Sequence, residues 1–225
     1  MRCHRGIALI LCVITFAASL AQAADTELPV VAEEDFQQGA ARWEYADEAA
    51  WKVEAGGSGK VLALLKKHSD YKPPFRSPYN MALLKDVQVS DFQLTARVQS
   101  TEPDYGHRSL CLFFGYQDPA HFYYVHFGKK TDAHANQIFI VDNAARTKIS
   151  TKTTDGTPWD DNWHTLRVAR DAASGTIAVY FDDMNEPVMT AVDKTFTWGR
   201  IGVGSFDDRG VFDQIELRGE VHKPN

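Results

Sequence analysis

HRSLCLFFGYQDPAHFYYVHFGKK, residues His107 to Lys130, decides the fold. Two apolar, aromatic-rich runs, Leu110 to Tyr116 and His121 to Phe127, flank Gln117-Asp118-Pro119-Ala120. Short apolar runs joined by a Pro-containing turn make a β-hairpin. Leu110, Leu112 and Phe114 share one parity of the first strand, and His121, Tyr123, Val125 and Phe127 share one parity of the second. The other parity of the second strand carries Phe122, Tyr124 and His126. A solvated strand face ordinarily carries Lys, Glu and Thr, so Tyr and His there predict an open, ligand-binding trough.

Working outward, the flanking chain repeats the same grammar. Upstream, Phe92, Leu94, Ala96 and Val98 alternate with Gln93, Thr95, Arg97 and Gln99, a period-two strand. Before it, Lys66 to Asn80 is polar and holds Pro73, Pro74 and Pro78, which predicts a loop or an edge because proline donates nothing to a ladder. Earlier still, Glu33 to Phe36 opens the fold, Arg42 to Glu44 follows, and Trp51 to Glu54 ends in a Gly-rich turn before Val61 to Leu65. Downstream come Gln137 to Val141, Lys148 to Lys152, Trp163 to Arg170, Thr176 to Phe181, Arg200 to Ser205 and Val211 to Leu217. Roughly eleven to thirteen short strands, with turn signals between them and no amphipathic helix, predict an all-β, two-sheet antiparallel β-sandwich of jelly-roll type.

The first residues, Met-Arg-Cys-His-Arg-Gly, precede an apolar run from Ile7 to Leu20 and then Ala21-Gln22-Ala23. A basic start, a short apolar core and an Ala-x-Ala site predict a signal peptide over 1–23, cut after Ala23. The run is too short for a membrane span, so export to the periplasm or the exterior is expected. Cleavage takes 23 of 225 residues and leaves 202 in one expected domain, 24–225. It also removes Arg2 and Arg5, so 22 basic residues face 30 acidic ones, a formal charge of −8. That balance argues against nucleic acid and anionic membrane as partners. Cys3 and Cys12 leave with the leader, and Cys111 alone supports no internal disulfide. It reads as an inert strand residue.

Asp161-Asn162-Trp163-His164-Thr165-Leu166-Arg167-Val168, followed by Gly175 to Asp183, resembles the concanavalin A-like and laminin-G-like sandwiches, as do Gly199 to Ser205 and Val211 to Leu217. The resemblance spans Phe36 to Gly219. Within it, Trp51-Lys52-Val53-Glu54-Ala55-Gly56 and Asp91-Phe92-Gln93-Leu94 are similar to secreted bacterial domains related to the 3-keto-disaccharide hydrolase group. That group's Asn-Ser-Gly stretch is absent, and Arg108-Ser109-Leu110 stands in its place.

The resemblance implies a concave sheet that binds a glycan or oligosaccharide. Aromatic rings stack on the apolar faces of sugars, while His, Arg, Asn and Gln meet the hydroxyls. The candidate ligand-binding residues are His107, Arg108, Tyr124, His126, His134, Asn136 and Gln137. The expected function is a secreted carbohydrate-binding sandwich without catalysis of its own. The alternatives are a 3-keto-glycoside hydrolase or polysaccharide lyase, and a protein-binding adhesion module. No cofactor is expected beyond a structural calcium of the kind this class of sandwich holds, for which Asp213 with Glu34 or Asp35 is the candidate. Asp182-Asp183 and Asp207-Asp208 read as turn formers. By parity Trp51 and Trp163 belong to the core, whereas Trp159 and Trp198 fall on a rim.

Overall fold

A computed structural model describes residues 27–57 and 59–223, so the expected leader lies outside the described residues. In chain order the strands are β1 Val30–Glu34, β2 Trp43–Tyr45, β3 Trp51–Gly56, β4 Gly59–Leu64, β5 Asn80–Leu84, β6 Val89–Ser100, β7 Ser109–Asp118, β8 His121–Gly128, β9 Gln137–Asp142, β10 Thr147–Lys148, β11 Ser150–Thr153, β12 His164–Arg170, β13 Thr176–Phe181, β14 Met189–Val192, β15 Arg200–Ser205 and β16 Gly210–Val221. They form two antiparallel sheets. One runs β11-β14-β13-β12-β6-β16-β4-β3, with β1 also paired to β16; the other runs β10-β9-β8-β7-β15-β5-β2. The all-β sandwich expected from the alternating runs is the observed architecture.

The period-two signal explains how the layers meet. Leu94, Ala96 and Val98 of β6, with Leu166 and Val168 of β12, turn inward from the nine-stranded sheet. They meet Leu110, Leu112 and Phe114 of β7 and Tyr123, Val125 and Phe127 of β8 from the seven-stranded sheet. All are essentially buried, and each aliphatic side chain so placed contributes roughly 1.5–3 kcal/mol. Long ladders hold the sheet flat enough to pack: β6 pairs with β12 from His164↔Val98 to Arg170↔Phe92 and with β16 on its other edge.

Four elements differ from the sequence reading, one of them β14, a short strand paired with β13 that was not expected after the Asn185-Glu186-Pro187 turn. β5 was not expected, because all five of its residues are buried and no alternation marks them, and prolines stand just before it. The single strand predicted over Lys148–Lys152 is two: β10 pairs with β9 in the seven-stranded sheet, while β11 pairs with β14 in the other. Ile149 is the crossing point and packs against the core from there. The chain also opens earlier than Glu33, as β1 against β16.

The seven-stranded sheet is covered on both faces. Its outer parity, Cys111, Phe113, Phe122, Tyr124, Phe139 and Val141, forms a second core with Met81 and Leu83. Ala46, Tyr71 and Phe75 pack over it. The covering segment is the Pro-containing stretch between β4 and β5. It is tied down at one end by Asn80 Nδ2 donating to the Lys67 carbonyl (2.7 Å) and in its middle by Arg146 N donating to the Arg76 carbonyl (3.0 Å). The expected trough is therefore filled by the chain's own loops.

Candidate functional site

Five of the seven predicted site residues are structural, and this corrects the sequence reading. Tyr124 is fully buried; its ring stacks on Phe139 at 5.1 Å, and its hydroxyl accepts from Arg146 Nη1 at 2.6 Å. His126 lies parallel to Phe206, with Nε2 2.8 Å from Ser109 Oγ, and burial pulls its pKa down to about 3. Arg108 is a strut: Nε donates to Ser100 Oγ (3.1 Å), and Nη2 donates to the Ser100 carbonyl and to Asp161 Oδ1 (2.9 Å each). Asn136 donates to Thr131 Oγ1 (2.7 Å) and Thr153 Oγ1 (3.0 Å), and Gln137 to the Asp132 carbonyl (2.9 Å). Only His107 and His134 stand at the surface, both beside Asp132. The parity assignment was correct, but the Tyr- and His-bearing face marks a second core, not an open trough.

Ser109 draws His126 and a carboxylate together, yet not for catalysis. Asp208 Oδ2 accepts from Ser109 N (2.8 Å) and lies 3.3 Å from the same hydroxyl that meets His126. Ser109 and Asp208 have no exposed surface, and burial raises the Asp208 carboxyl to about 6. The serine sits between the two titratable groups and is sealed from substrate. Cys111 is buried too, and desolvation pushes its thiol up, which makes it the inert strand residue its position suggested.

The open face belongs to the other sheet. A groove of about 690 Å³ runs over the outer side of β1, β6, β12 and β16, within the size range of small-ligand sites. Its floor is read from the strand register. Arg97 of β6 faces Thr165 of β12 on one side and Asp213 of β16 on the other; one step along, Thr95 lies between Arg167 and Glu216. Arg167 Nε donates to Thr95 Oγ1 at 3.0 Å, which orients the guanidinium. The Arg97 guanidinium lies over the Trp163 ring, 5.2 Å from its centre. Trp163 is thus half-buried on the outward parity, a correction to its expected place in the core. Trp159, expected on a rim, is buried and donates its Nε1–H to the Phe127 carbonyl at 2.8 Å. Trp198 is half-exposed, as expected of a rim residue, and stacks on His222 at 4.5 Å.

A bulge in β16 shapes the acidic side of the groove. The register with β6 slips between Asp213 and Glu216, and Gln214 takes a left-handed φ of 45°. Such bulges re-aim side chains, and strain of this kind gathers at functional positions. Here Gln214 Oε1 is brought 3.5 Å from Arg97 Nη1. Burial, and the nearby charge of Asp35, raise the Asp213 carboxyl above its usual range. The candidate calcium residues Asp213 and Asp35 are thus near enough to feel each other's charge. Glu34 is committed to Phe36 N (3.0 Å) and Trp43 Nε1 (3.2 Å), and among the described residues no group of three or more His, Cys, Asp or Glu is placed to hold a metal. The signal for this groove in the sequence was the outward parity of β6 and β12, which reads as an ordinary solvated face until β1 and β16 flank it.

Two layered antiparallel sheets of nine and seven strands define an all-β sandwich. No protein-family model matches the chain, and no curated protein matches it. Among solved structures it is similar to the carbohydrate-binding module CBM66 from Bacillus subtilis, at 18% identity and TM-score 0.56, covering 79% of this chain and 96% of that one. It is also similar to domain 4 of AbnA, a GH43 extracellular arabinanase from Geobacillus stearothermophilus solved with arabinotriose (12%, TM-score 0.57, 88% and 96%). A third is the winged bean acidic lectin complexed with methyl-α-D-galactose (11%, TM-score 0.53, 85% and 98%). At these identities the likeness establishes the fold. Among the described residues no helix is long and apolar enough to cross a membrane.

Proposed function

We propose that the chain is a secreted carbohydrate-binding domain whose glycan site is the groove over β1, β6, β12 and β16. The observation that carries this reading is the contrast between the two outer sheet faces: one is a sealed second core, the other an open groove floored by Thr95, Arg97, Thr165 and Arg167 and edged by acids. Guanidiniums donate to sugar hydroxyls and threonine hydroxyls both donate and accept, while Trp163 holds the Arg97 guanidinium in place. The solved carbohydrate-binding module, the arabinotriose-bound domain and the lectin support sugar as the ligand class. The basic, apolar and Ala-x-Ala pattern over residues 1–23 supports export and a mature domain over 24–225. The finer kinship with the 3-keto-disaccharide hydrolase group is a proposal resting on Trp51–Gly56 and Asp91–Leu94.

A glycan array probed with the purified protein tests this reading. Binding to at least one glycan is expected, and Thr165→Trp, which fills the groove floor from a half-buried outward position, should abolish it without lowering the melting temperature. Binding that survives Thr165→Trp would move the site elsewhere. Release of reducing ends or unsaturated uronates by the purified protein would replace a binding domain with an enzyme.

A further inference from the structure

Two guanidiniums face the groove with no carboxylate in ion-pair contact, although Asp213 lies near enough to feel the Arg97 charge. Arg97 and Arg167 sit diagonally on adjacent antiparallel strands, since Arg97 pairs with Thr165 and Arg167 with Thr95. Among the described residues neither makes a salt bridge, although five carboxylates lie on the neighbouring strand and edge. Four of those acids carry hydrogen bonds or an ion pair of their own. Glu34 is held by Phe36 N and the Trp43 indole; Glu216 is paired with Arg218 Nε at 2.7 Å; Asp35 Oδ1 accepts from Gln37 N (3.0 Å) and Asp213 Oδ1 from Gln214 N (2.8 Å). Glu33, the fifth, lines the groove from β1.

The two arginines are also held still. Arg167 spends only its Nε on Thr95, which leaves both terminal nitrogens for a partner, and Arg97 is pinned over Trp163. A guanidinium fixed by its Nε or by stacking loses little freedom when it binds, and its fork matches a planar or tetrahedral oxyanion. Neighbouring strands bring diagonal side chains within reach of a single small group.

We propose that the groove selects a sugar bearing an oxyanion, with a uronate carboxylate bridging Arg97 and Arg167 while Thr95 and Thr165 meet neighbouring hydroxyls. This deepens the proposed function and rests on it. A sulfate ester on the sugar presents the same chemistry, so the test includes both.

The test compares trigalacturonate, a sulfated galacto-oligosaccharide and galactotriose of matched length by calorimetric titration of the purified protein. At least one of the two anionic sugars is expected to bind tenfold or more tightly than the neutral one, roughly the value of one charge-assisted hydrogen bond. The margin should shrink in high salt. Arg167→Gln and Arg97→Gln should each weaken the anionic sugar more than galactotriose and so remove the preference, and Arg167→Lys should restore only part of it. Which anionic sugar wins distinguishes carboxylate from sulfate. Neutral sugars binding as well as anionic ones would overturn this inference and leave the glycan-binding reading intact. Binding to none of the three sugars, with an empty glycan array, would overturn both. Should a glutamine variant lower the melting temperature, the salt-dependent comparison on the unaltered protein decides the matter.

Discussion

Replacing Tyr124 with alanine tests whether the aromatic side of β8 is core. The ring has no exposed surface and stacks on Phe139 at 5.1 Å, with Phe113 at 6.0 Å and Phe122 at 6.4 Å. Truncating a buried aromatic side chain of this size costs about 3–5 kcal/mol, through lost transfer energy and the cavity left behind. For a domain of this length each kcal/mol moves the melting temperature by roughly 2–4 °C, so Tyr124→Ala should melt about 6–20 °C lower. Tyr124→Phe keeps the ring and removes only the hydroxyl that accepts from Arg146 Nη1 at 2.6 Å. Its cost should be about 1.5–3 kcal/mol or less, because Arg146 is partly exposed and can turn to water. Differential scanning calorimetry and urea titration measure both. An open trough would make Tyr124→Ala nearly neutral, as surface substitutions fall within about 0.5 kcal/mol. A loss under about 1 kcal/mol would refute the second core and return the Tyr124 face to the list of candidate sites.

Further outcomes follow from buried charge and close contact. His126 has a folded pKa near 3, below its unfolded value, so the unfolded chain takes up the proton first. Its contribution is present above about pH 6.5 and is lost as pH falls toward 3, at about 1.4 kcal/mol per pH unit; His126→Gln should flatten that stretch of the stability–pH curve. Asp208 runs the other way. Its carboxyl, raised to about 6, contributes stability fully present below about pH 4 and lost as pH rises through 6, so Asp208→Asn should remove the decline across that window. Gly204→Ala should destabilise by roughly 3 kcal/mol or more in the same urea titration, because a Cβ there would stand 2.0 Å from the Asn80 carbonyl oxygen.

The fold was legible wherever one face of a strand meets the core and the other meets water. β6 and β12 alternate residue by residue, and their inward sets, from Leu94 to Val98 and from Leu166 to Val168, are the observed core. Alternation fails where both faces are covered. β5 carries no polar residue to mark a face except Asn80, and β8 is apolar or aromatic on both sides, so its second parity looked like a binding surface. What covers β8 is a segment whose prolines announced only that it was not a strand. Tyr71 and Phe75 within it give no local sign that they cap a sheet some fifty residues downstream. The groove was hidden for the opposite reason. Thr95, Arg97, Thr165 and Arg167 are what any solvated strand displays, and their meaning comes from β16, more than a hundred residues beyond β6, and from the Gln214 bulge. Which of the nearby acids pair with other groups, as Glu216 does with Arg218, is a matter of side-chain placement that no spacing reveals.

The most direct measurement is an amide chemical-shift map of the isotopically labelled protein titrated with the best glycan from the array. Shifts should concentrate on Thr95, Arg97, Thr165, Arg167 and Glu216, with Tyr124 and His126 unmoved beneath their cover. Shifts centred instead on His107 and His134, or on Trp198 and His222, with the β6–β12 face silent, would contradict the placement of the site on the nine-stranded sheet.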